Sequence, residues 1–584
     1  MIRFAPAAVD VETRGGGMVL RSPQPLAPFA RCAGDWLEAW AARTPERVFL
    51  AERAPHAAGW RELTYGAARA SVRRIAGGLL ALGLDATRPV MLLSDNSIDH
   101  ALVQLGAMHA GIPAAPISPA YSLQSRDFAR LRAIAAQLRP GAIYVSDESA
   151  YTRALQALAL DVPLLVLVEL PPADDAAVER EFSKITANTI AKILFTSGST
   201  GSPKGVVNTQ RMLCANQQQI VQLWPFLDDA PPVIVDWLPW SHTFGGNHNF
   251  NLILRSGGTL YVDGGKPAPR AIDVTAANLR EIAPTMYFNV PRGFDALLPF
   301  LEADAALRER FFSRLELLFY AAAALPQTSW RRLEAVARAA GGAPPAMISA
   351  WGSTETAPMA TSVHFRIERA GVIGLPAPGC EIALAPPSPS SSSPSSDKLE
   401  LRVRGPNVTP GYWQPGGAIE PPALDADGFL PTGDAGRLED PADPSRGLVF
   451  DGRTAENFKL SSGTWVAVGA LRLAILAACA PLVQDAAIAG HDRESLGALL
   501  FPHPDAAARP SLRGELLERL RAHNREHPAS STRIARALVL ADPPSIDGGE
   551  ITDKGYLNQR AVLTRRAALV ERLFSADDSV LVVD

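Results

Sequence analysis

Lysine is scarce in this chain. Only 7 of its 56 basic residues are lysine, which leaves 49 arginines (56 − 7), a ratio that codon bias toward arginine explains. Because an ammonium and a guanidinium differ in geometry and hydration, the positions of the few lysines still bear on function. They are Lys184, Lys192, Lys204, Lys266, Lys398, Lys459 and Lys554.

The chain also lacks an excess of charge of either sign. Its 56 basic residues nearly balance 60 acidic ones, and the formal net charge is −4. This balance excludes a broad electrostatic grip on nucleic acid or on an anionic membrane. With 47% hydrophobic and 20% charged residues, the 584-residue chain has the composition of a soluble protein of several domains. Substrate recognition is therefore expected to be local.

Paired cysteines and long apolar runs are missing as well. The 4 cysteines are scattered without a CxxC spacing, which predicts a reduced, cytoplasmic setting. Asp10 and Glu12 interrupt the N-terminus, so it does not read as a signal peptide. Residues 101–125 carry no charged side chain, but glycines and prolines break the run. A buried helix followed by an irregular strand is predicted there, with no membrane span.

The order of the predicted elements indicates the fold class. Helical patterns alternate with short apolar strands, which predicts a large N-terminal doubly wound α/β domain over residues 1–452. Short strands and turns from about 370 to 452 predict a β-rich subdomain within it, and 386–396 reads as an exposed Ser/Pro loop. A small, mobile α+β C-terminal lid domain is predicted over 453–584. Ligands are expected at the carboxyl ends of the parallel strands.

One segment has the composition of a phosphate-binding loop. Residues 193–207 read ILFTSGSTGSPKGVV, in which glycines, hydroxyls and one lysine follow an apolar strand. Backbone N–H groups, hydroxyls and an ammonium together suit a polyphosphate. A P-loop NTPase is disfavoured, because Pro203 and Gly205 stand where that motif needs Gly and Ser/Thr. The predicted phosphate ligands are Thr196, Ser197, Gly198, Ser199, Thr200, Gly201 and Lys204.

This loop resembles the signature of the adenylate-forming superfamily of acyl-CoA synthetases, peptide-synthetase adenylation domains and luciferases. Four further motifs of that superfamily follow in order, namely WGSTE (351–355), PTGD (431–434), GRTAENFKLSSG (452–463) and GGEITDKGYL (548–557). Within the superfamily, WLPWSHTFGGNHNF (237–250) and ENFKLSSGTWV (456–466) are most similar to feruloyl-CoA synthases.

The resemblance implies roles in nucleotide binding. Thr354 would contact the α-phosphate of ATP and Glu355 would hold Mg²⁺. Asp434, assisted by Arg453, would accept the ribose hydroxyls, and adenine would stack on Trp351 next to Gly352. The family's nucleotide loop corresponds to Ala322 and Ala323, with Ala322 where glycine is usual.

The resemblance also implies the groups that act on the acid and on coenzyme A. Lys554 would bridge the substrate carboxylate and the α-phosphate in the first step. Rotation about a hinge at Ala455 would then bring Lys459, Ser462 and Gly463 to the site for attack by the thiol of coenzyme A. His242 would separate the carboxylate from the thiol tunnel; it and His248 lack the i, i+4 spacing of a helical zinc pair. The expected acyl pocket comprises Phe244, Gly245, Gly246, Asn247 and Asn249.

These implied roles make up an ATP- and Mg²⁺-dependent acid:CoA ligase that works through an acyl adenylate, with ferulate or a related hydroxycinnamate as the acid. A medium- or long-chain fatty acyl-CoA synthetase differs only in the pocket. An enzyme that loads a separate carrier protein and a non-enzymatic nucleotide sensor are further alternatives. Joint retention of Glu355, Asp434 and Lys554 argues against the sensor.

Overall fold

A computed structural model describes residues 2–14, 16–54, 59–171, 174–196, 203–323, 325–387, 398–454, 457–552 and 557–583. The strands before residue 200 are β1 (Asp10–Arg14), β2 (Gly17–Arg21), β3 (Val48–Arg53), β4 (Trp60–Thr64), β5 (Val90–Leu93), β6 (Ala114–Ile117), β7 (Ala142–Val145), β8 (Leu164–Leu165) and β9 (Ile190–Thr196). Those from 200 to 400 begin with β10 (Lys204–Thr209), β11 (Val233–Asp236), β12 (Thr259–Val262), β13 (Met286–Asn289), β14 (Leu317–Tyr320), β15 (Ala346–Gly352), β16 (Met359–Ser362), β17 (Val372–Pro376), β18 (Glu381–Ala385) and β19 (Leu399–Arg404). The remaining strands are β20 (Tyr412–Trp413), β21 (Ile419–Glu420), β22 (Leu430–Leu438), β23 (Leu448–Arg453), β24 (Phe458–Lys459), β25 (Trp465–Val466), β26 (Val483–Ala489), β27 (Leu496–Pro502), β28 (Ile534–Val539) and β29 (Val580–Val582).

The helices lie between these strands. The first nine are α1 (Ala33–Arg43), α2 (Tyr65–Ala81), α3 (Ile98–His109), α4 (Ala120–Leu123), α5 (Ala129–Leu138), α6 (Glu148–Leu158), α7 (Asp175–Lys184), α8 (Gln210–Leu223) and α9 (Phe250–Ser256). The others are α10 (Ala271–Glu281), α11 (Pro291–Ala303), α12 (Ala305–Phe312), α13 (Gln327–Ala339), α14 (Val468–Cys479), α15 (Pro504–Ala507), α16 (Leu512–Glu526), α17 (Gln559–Arg565) and α18 (Ala567–Leu573). A π-helix, Phe244–Asn249, runs directly into α9.

The predicted α/β class is confirmed, and the strand β5 explains why helices cover both faces of its sheet. All four of its residues are buried. Val90 and Leu92 pack into the core cluster that contains α2 and α3, whereas Met91 and Leu93 pack against α5 and α6 on the opposite face. An apolar run without polar alternation therefore corresponds to a strand buried on both sides.

The predicted strands are divided among three sheets. β5 to β9 share an eight-stranded sheet in the order β21-β20-β10-β9-β6-β5-β7-β8, in which β6, β5, β7, β8 and β9 pair in parallel. β11 and β12 form a second sheet with β3 and β4. β13, β14 and β15 begin a third, of eleven strands. Local hydrophobic periodicity can predict a strand, but sheet membership depends on long-range pairing that no local pattern carries.

Most strands of the β-rich segment near residues 370–452 lie within this third sheet, whereas β20 and β21 belong to the eight-stranded sheet. β17, β18, β19, β22 and β23 pair in the third sheet in antiparallel fashion, and the N-terminal hairpin of β1 and β2 adds its strand β2 to β18. The hairpin's role was not predicted. Most of the predicted Ser/Pro loop at 386–396 lies outside the described residues.

Residues after the predicted boundary form cores of their own. β26 to β29 make a four-stranded sheet, and α14 and α16 pack on it. The two buried clusters on this sheet contain only residues from Phe458 onward. The mixture of strands, such as β26 and β27, and helices, such as α14 and α16, agrees with the α+β composition predicted for this part. The boundary at 452/453 and the mobility of this part remain predictions.

The charge-free segment 101–125 is a buried helix, α3, followed by the short strand β6, as predicted. In the described parts of the chain, no helix is both long enough and apolar enough to cross a membrane. All four cysteines are buried free thiols.

Candidate functional site

The predicted phosphate loop connects two strands of an antiparallel hairpin. Thr196 ends β9, Lys204 begins β10, and the two residues are cross-strand partners. Both side chains are partly exposed. The residues expected to supply most of the phosphate contacts, Ser197, Gly198, Ser199, Thr200 and Gly201, lie outside the described residues. The hairpin therefore fixes where the loop starts and ends.

Tyr412 connects two of the predicted residues, Lys204 and Glu355. The ammonium of Lys204 lies 5.2 Å from the centre of the Tyr412 ring. The Tyr412 hydroxyl is hydrogen-bonded to the Glu355 carboxylate, and burial, then the charges of Glu355 and Glu420, raise the pKa of Tyr412 to about 12. The phenol is thus a stable donor to that carboxylate. Sequence reasoning missed Tyr412, because the segment GYW belongs to none of the five motifs.

A tight turn carries Thr354 and Glu355. Both residues belong to a 3₁₀ turn, Thr354–Thr356, directly after β15. The backbone carbonyl of Glu355 accepts a hydrogen bond from Thr409 N at 2.8 Å. Gly352 is required at the end of β15, since a Cβ there would stand 1.7 Å from the carbonyl oxygen of Pro358. The motif glycine therefore permits close backbone packing.

Trp351 reaches Asp434 across 83 residues of sequence, and Arg453 faces the same carboxylate from the neighbouring strand. The indole Nε1 of Trp351 donates to Asp434 Oδ2 at 2.9 Å. Arg453 Nε lies 3.5 Å from Asp434 Oδ1, and the two residues are cross-strand partners on β22 and β23. Trp351 is buried in the core of the third sheet. Its indole therefore helps to orient the carboxylate predicted to bind ribose, a contact that the stacking role did not include.

Ala322 has a backbone conformation that favours glycine. It follows β14, is exposed, and has φ of +73°. A side chain with a Cβ is strained in this region. Ala323 is also exposed, but its φ is not positive. The backbone after β14 therefore has the conformation that favours glycine, the residue usual here in the family that the chain resembles, although this chain has alanine at the position.

The predicted acyl-pocket residues belong to the π-helix, Phe244–Asn249. His242 precedes it, and its carbonyl accepts from Gly246 N at 2.7 Å. A Cβ on Gly245 or Gly246 would lie 2.2 Å from the carbonyl oxygen of Leu238 or Trp240, respectively. These glycines therefore let the π-helix pack against the preceding loop. The sequence placed both glycines in the expected acyl pocket; the structure gives them this additional role in packing.

Asn247 and Asn249 are both engaged by the fold. The Asn247 amide donates to Asn208 Oδ1 at 2.8 Å and to Thr243 Oγ1 at 3.2 Å. Asn249 Nδ2 donates to Asp236 Oδ2 at 3.0 Å, and its Oδ1 lies 2.9 Å from His248 Nδ1. Of the side-chain polar atoms of these two asparagines, Asn247 Oδ1 alone has no hydrogen-bond partner among the described residues. It is an acceptor, which a phenolic hydroxyl could satisfy.

His248 is a further buried residue of the π-helix. Asn249 Oδ1 must be its acceptor, because the amide nitrogen of Asn249 is used by Asp236; His248 Nδ1 therefore carries the proton. Burial lowers the pKa of His248 to about 4, so the ring is neutral. The rings of Trp224, Phe244, Phe288 and Phe319 surround it at centroid distances of 5.0–5.8 Å. The sequence pattern around His248 bears only on zinc binding and does not reveal this aromatic environment.

Two buried side chains hold the carbonyls of the π-helix. Lys192 Nζ donates to Gly246 O at 2.8 Å, and Gln217 Nε2 donates to Asn247 O and His248 O at 3.0 and 3.2 Å. Lys192 is fully buried in β9, and this burial lowers its pKa to about 7. The sequence analysis assigned it no role. Its position inside the apolar run AKILF was the available signal.

The residues expected to act after domain rotation lie in their own hairpin. Lys459 ends β24, with its ammonium 4.9 Å from the Trp465 ring. Ser462 Oγ is 2.9 Å from Thr464 Oγ1, and Gly463 has φ of +82° in the turn. These contacts are local and do not join the Asp434 group. Ala455 and Lys554 lie outside the described residues.

The residues around Glu355 fit a Mg²⁺ ion that ATP helps to hold. No group of three or more His, Cys, Asp or Glu residues in the described ranges could hold a metal ion. Mg²⁺ commonly binds through one or two carboxylates together with substrate phosphates. One partly exposed carboxylate beside the phosphate hairpin fits that mode of binding.

Two protein-family models match this chain. The family model described as AMP-binding enzyme matches residues 37–413, more than half of the chain. The chain belongs to the AMP-binding enzyme family. The model of the AMP-binding enzyme C-terminal domain matches residues 458–578, the part with its own cores.

Individual relatives of this AMP-binding enzyme are distant. A carboxylic acid reductase from Segniliparus rugosus is 25% identical over 447 residues, 70% of this chain and 34% of the relative. A long-chain-fatty-acid–CoA ligase from Salmonella typhimurium is 29% identical over 268 residues, 44% of this chain and 43% of the relative. The matches thus span about a third to two fifths of these curated relatives.

Among solved structures, O-succinylbenzoate coenzyme A synthetase from Bacillus subtilis in complex with AMP superposes with a TM-score of 0.68. It is 20% identical, and the match covers 91% of this chain and 98% of that one. At this identity the likeness shows the fold alone, with a large N-terminal and a smaller C-terminal part.

Proposed function

We propose that this AMP-binding enzyme is an ATP-dependent acid:CoA ligase. It would join a carboxylate to the α-phosphate of ATP, release pyrophosphate, and pass the acyl group from AMP to the thiol of coenzyme A. The observation that carries the proposal is the convergence of Trp351 with Asp434, 83 residues away in another motif, and with Arg453, which faces Asp434 from the neighbouring strand. A nucleotide site explains this convergence better than a structural ion pair does, since Arg453 is largely exposed.

Each group of the site has a task in this reaction. The carboxylate of Asp434, oriented by Trp351, would accept the two ribose hydroxyls. Lys204 and the hairpin loop would hold the β- and γ-phosphates, and Thr354 the α-phosphate. Glu355, held by Tyr412, would bind Mg²⁺, which neutralises phosphate charge when ATP is present. Lys554 would stabilise the charge that develops between carboxylate and α-phosphate.

For the acid, we propose a hydroxycinnamate such as ferulate. The aromatic rings around the π-helix would suit a planar apolar ring. The unused acceptor Asn247 Oδ1 would suit a phenolic hydroxyl, because a buried acceptor without a donor is costly. These two features support the proposal over an aliphatic chain, which needs no polar partner.

A fatty acid is the second candidate. The similarity to the long-chain-fatty-acid–CoA ligase from Salmonella typhimurium favours it, as does the similarity to the long-chain-fatty-acid–[acyl-carrier-protein] ligase from Arabidopsis thaliana, 25% identical over 238 residues. That second relative also keeps open an acyl transfer to a carrier protein in place of coenzyme A.

An AMP-release assay tests the proposal. Purified protein would be supplied with ATP, Mg²⁺ and one acid at a time from ferulate, p-coumarate, caffeate, benzoate and octanoate, with and without coenzyme A. Preference for ferulate or p-coumarate with thioester formation is the expected result. Preference for octanoate would refute the hydroxycinnamate, and adenylate formation without a thioester would favour a carrier protein as acceptor.

A lysine variant tests the mechanism. Lys554→Ala should nearly abolish acyl-AMP formation but spare thioester formation from supplied acyl-AMP, since only the first step needs charge at the α-phosphate. Equal loss of both half-reactions would contradict the role of Lys554.

A further inference from the structure

The C-terminal part touches the N-terminal part through Asp547. This residue lies between β28 and α17, seven positions before Lys554 in sequence. Its carboxylate accepts hydrogen bonds from Ser125 Oγ at 2.7 Å and from Arg126 N at 3.0 Å. Ser125 Oγ in turn accepts from Phe128 N at 2.9 Å, which fixes the hydroxyl. We refer to these bonds as the Asp547 contact.

The location of the contact relates it to the nucleotide. Ser125 and Arg126 follow β6 and the short helix α4. β6 pairs in parallel with β9, and β9 leads into the predicted phosphate loop. The carboxyl ends of parallel neighbours lie at the same edge of a sheet, where ligands bind in folds of this kind. The Asp547 contact therefore forms at the edge where ATP is expected.

Neighbouring residues reinforce the contact on both sides. Ile546 packs against the core cluster that contains Leu93, Ile117 and Phe195. At Gly549, which has φ of +69°, a Cβ would stand 2.6 Å from Arg130 Nη2. Ile546, Asp547 and Gly549 thus fit the surface that is formed by α5 and by the residues between β6 and α5.

The same segment forms the base of the loop that contains Lys554. Glu550 is buried, and its carboxylate receives two bonds from Arg566, at 2.8 and 2.7 Å. Its carbonyl accepts from Asn558 N at 2.8 Å, and Ile551 forms a β-bridge with Leu557. The two flanks of residues 553–556 are thereby tied together. A restraint on Asp547 is transmitted to this base through three intervening residues.

We propose that Asp547 is a positioning residue for the adenylation step. Its hydrogen bonds to Ser125 and Arg126 hold the base of the Lys554 loop at the sheet edge where ATP is expected while the acyl adenylate forms. These bonds must break before the thiol of coenzyme A can attack. This inference rests on the proposed function. Nothing in the family motifs includes Asp547 or Ser125, so the role is additional to the five motifs.

Two variants and two half-reactions test it. Asp547→Ala, and separately Ser125→Ala, should lower the rate of acyl-AMP formation by about tenfold, the effect of losing about one to two charge-assisted hydrogen bonds. The rate of thioester formation from supplied acyl-AMP should stay within about twofold. A folding defect would lower both rates, so the unequal loss distinguishes positioning from a structural role. Asp578→Ala, an exposed aspartate of the same part, is the matched control and should leave both rates unchanged.

A second measurement does not depend on activity. Amide hydrogen exchange in the peptide that spans Ser125 to Phe128 should be faster in Asp547→Ala than in the wild type or in Asp578→Ala. Equal slowing of both half-reactions, or unchanged exchange at 125–128, would overturn the inference. If wild-type protein forms no adenylate from any acid while the exchange result is as expected, the proposed function fails and the docking contact stands.

Discussion

At the scale of single residues, Ala322 is the position with the plainest energetic consequence. Its exposed side chain sits at φ of +73°, where a Cβ costs about 1–3 kcal/mol. Glycine relieves that strain but loses about 0.5–1 kcal/mol through greater freedom of the unfolded chain. Ala322→Gly should therefore stabilise the N-terminal part by about 1 kcal/mol, measured as a rise in its urea midpoint.

Ala323→Gly is the matched control for this prediction. The two alanines are adjacent and exposed, and only the first has a positive φ. The second substitution should lower stability by about 0.5–1 kcal/mol. Equal effects of the two substitutions would contradict the strain argument.

Sequence reasoning worked best at this scale where a residue type carries a motif. Asp434 was predicted to act with Arg453, and Trp351 was given a separate role; the structure brings the Trp351 indole into contact with the Asp434 carboxylate. It failed for Tyr412 and Lys192, because what gives them a role is a neighbour more than fifty residues away. Asn249 was predicted as a pocket residue, but both its polar atoms are bonded to Asp236 and His248.

At the scale of elements, the π-helix depends on a buried cation. Lys192 donates to Gly246 O, and the pKa of this lysine, ordinarily 10.5, is lowered to about 7 by burial. Its charge also helps to lower the pKa of the buried His100 to about 3, after burial itself. π-turns inside helices are frequent at functional sites. Here side chains from β9 and α8 take over the carbonyl contacts.

The lowered pKa makes stability depend on pH in a defined direction. Between about pH 7 and pH 10 the unfolded chain holds a proton on Lys192 that the folded chain releases. Stability of the wild type should therefore rise with pH relative to Lys192→Met, by at most about 1.4 kcal/mol per pH unit. Below about pH 7 both states are protonated, and the difference should be constant.

Urea unfolding of both proteins across this range measures the effect. All other titrating groups, including Asp236, whose pKa burial raises to about 7, are common to the two proteins and cancel in the difference. Parallel stability curves would show that Lys192 keeps an ordinary pKa.

At the scale of the whole molecule, the C-terminal part has what it needs to fold alone. Its two core clusters lie on the β26–β29 sheet and draw every buried member from Phe458 onward. About 130 residues is a usual domain size. A fragment of residues 454–584 should therefore unfold in one cooperative thermal transition followed by circular dichroism.

Leu500→Asp in the same fragment is the negative control, since Leu500 is fully buried in the first of these clusters. It should abolish the transition. A wild-type fragment that melts gradually would mean that these cores depend on contacts with the N-terminal part.

The order of helices and strands along the chain was predictable, because each βα unit gives the sequence a local hydrophobic periodicity. The joining of the N-terminal hairpin β1–β2 to β18 was not, since some 360 residues separate partners such as Arg21 and Glu381. The Asp547 contact was not predictable either, since 422 residues separate Asp547 from Ser125.

The scarcity of lysine makes the protein convenient for amine footprinting by mass spectrometry. Acylating reagents would meet seven ε-amines and the α-amine, and arginine would not react. Lys184 and Lys266 expose 63% and 52% of their side chains, Lys398 exposes 24%, and Lys192 is fully enclosed. Acylation of Lys192 can therefore serve as an internal measure of unfolding. Acylation of Lys204 would report on the hairpin loop, that of Lys459 on the C-terminal hairpin, and that of Lys554 on the segment after Asp547. Each could be followed as nucleotide, acid and thiol are added in turn.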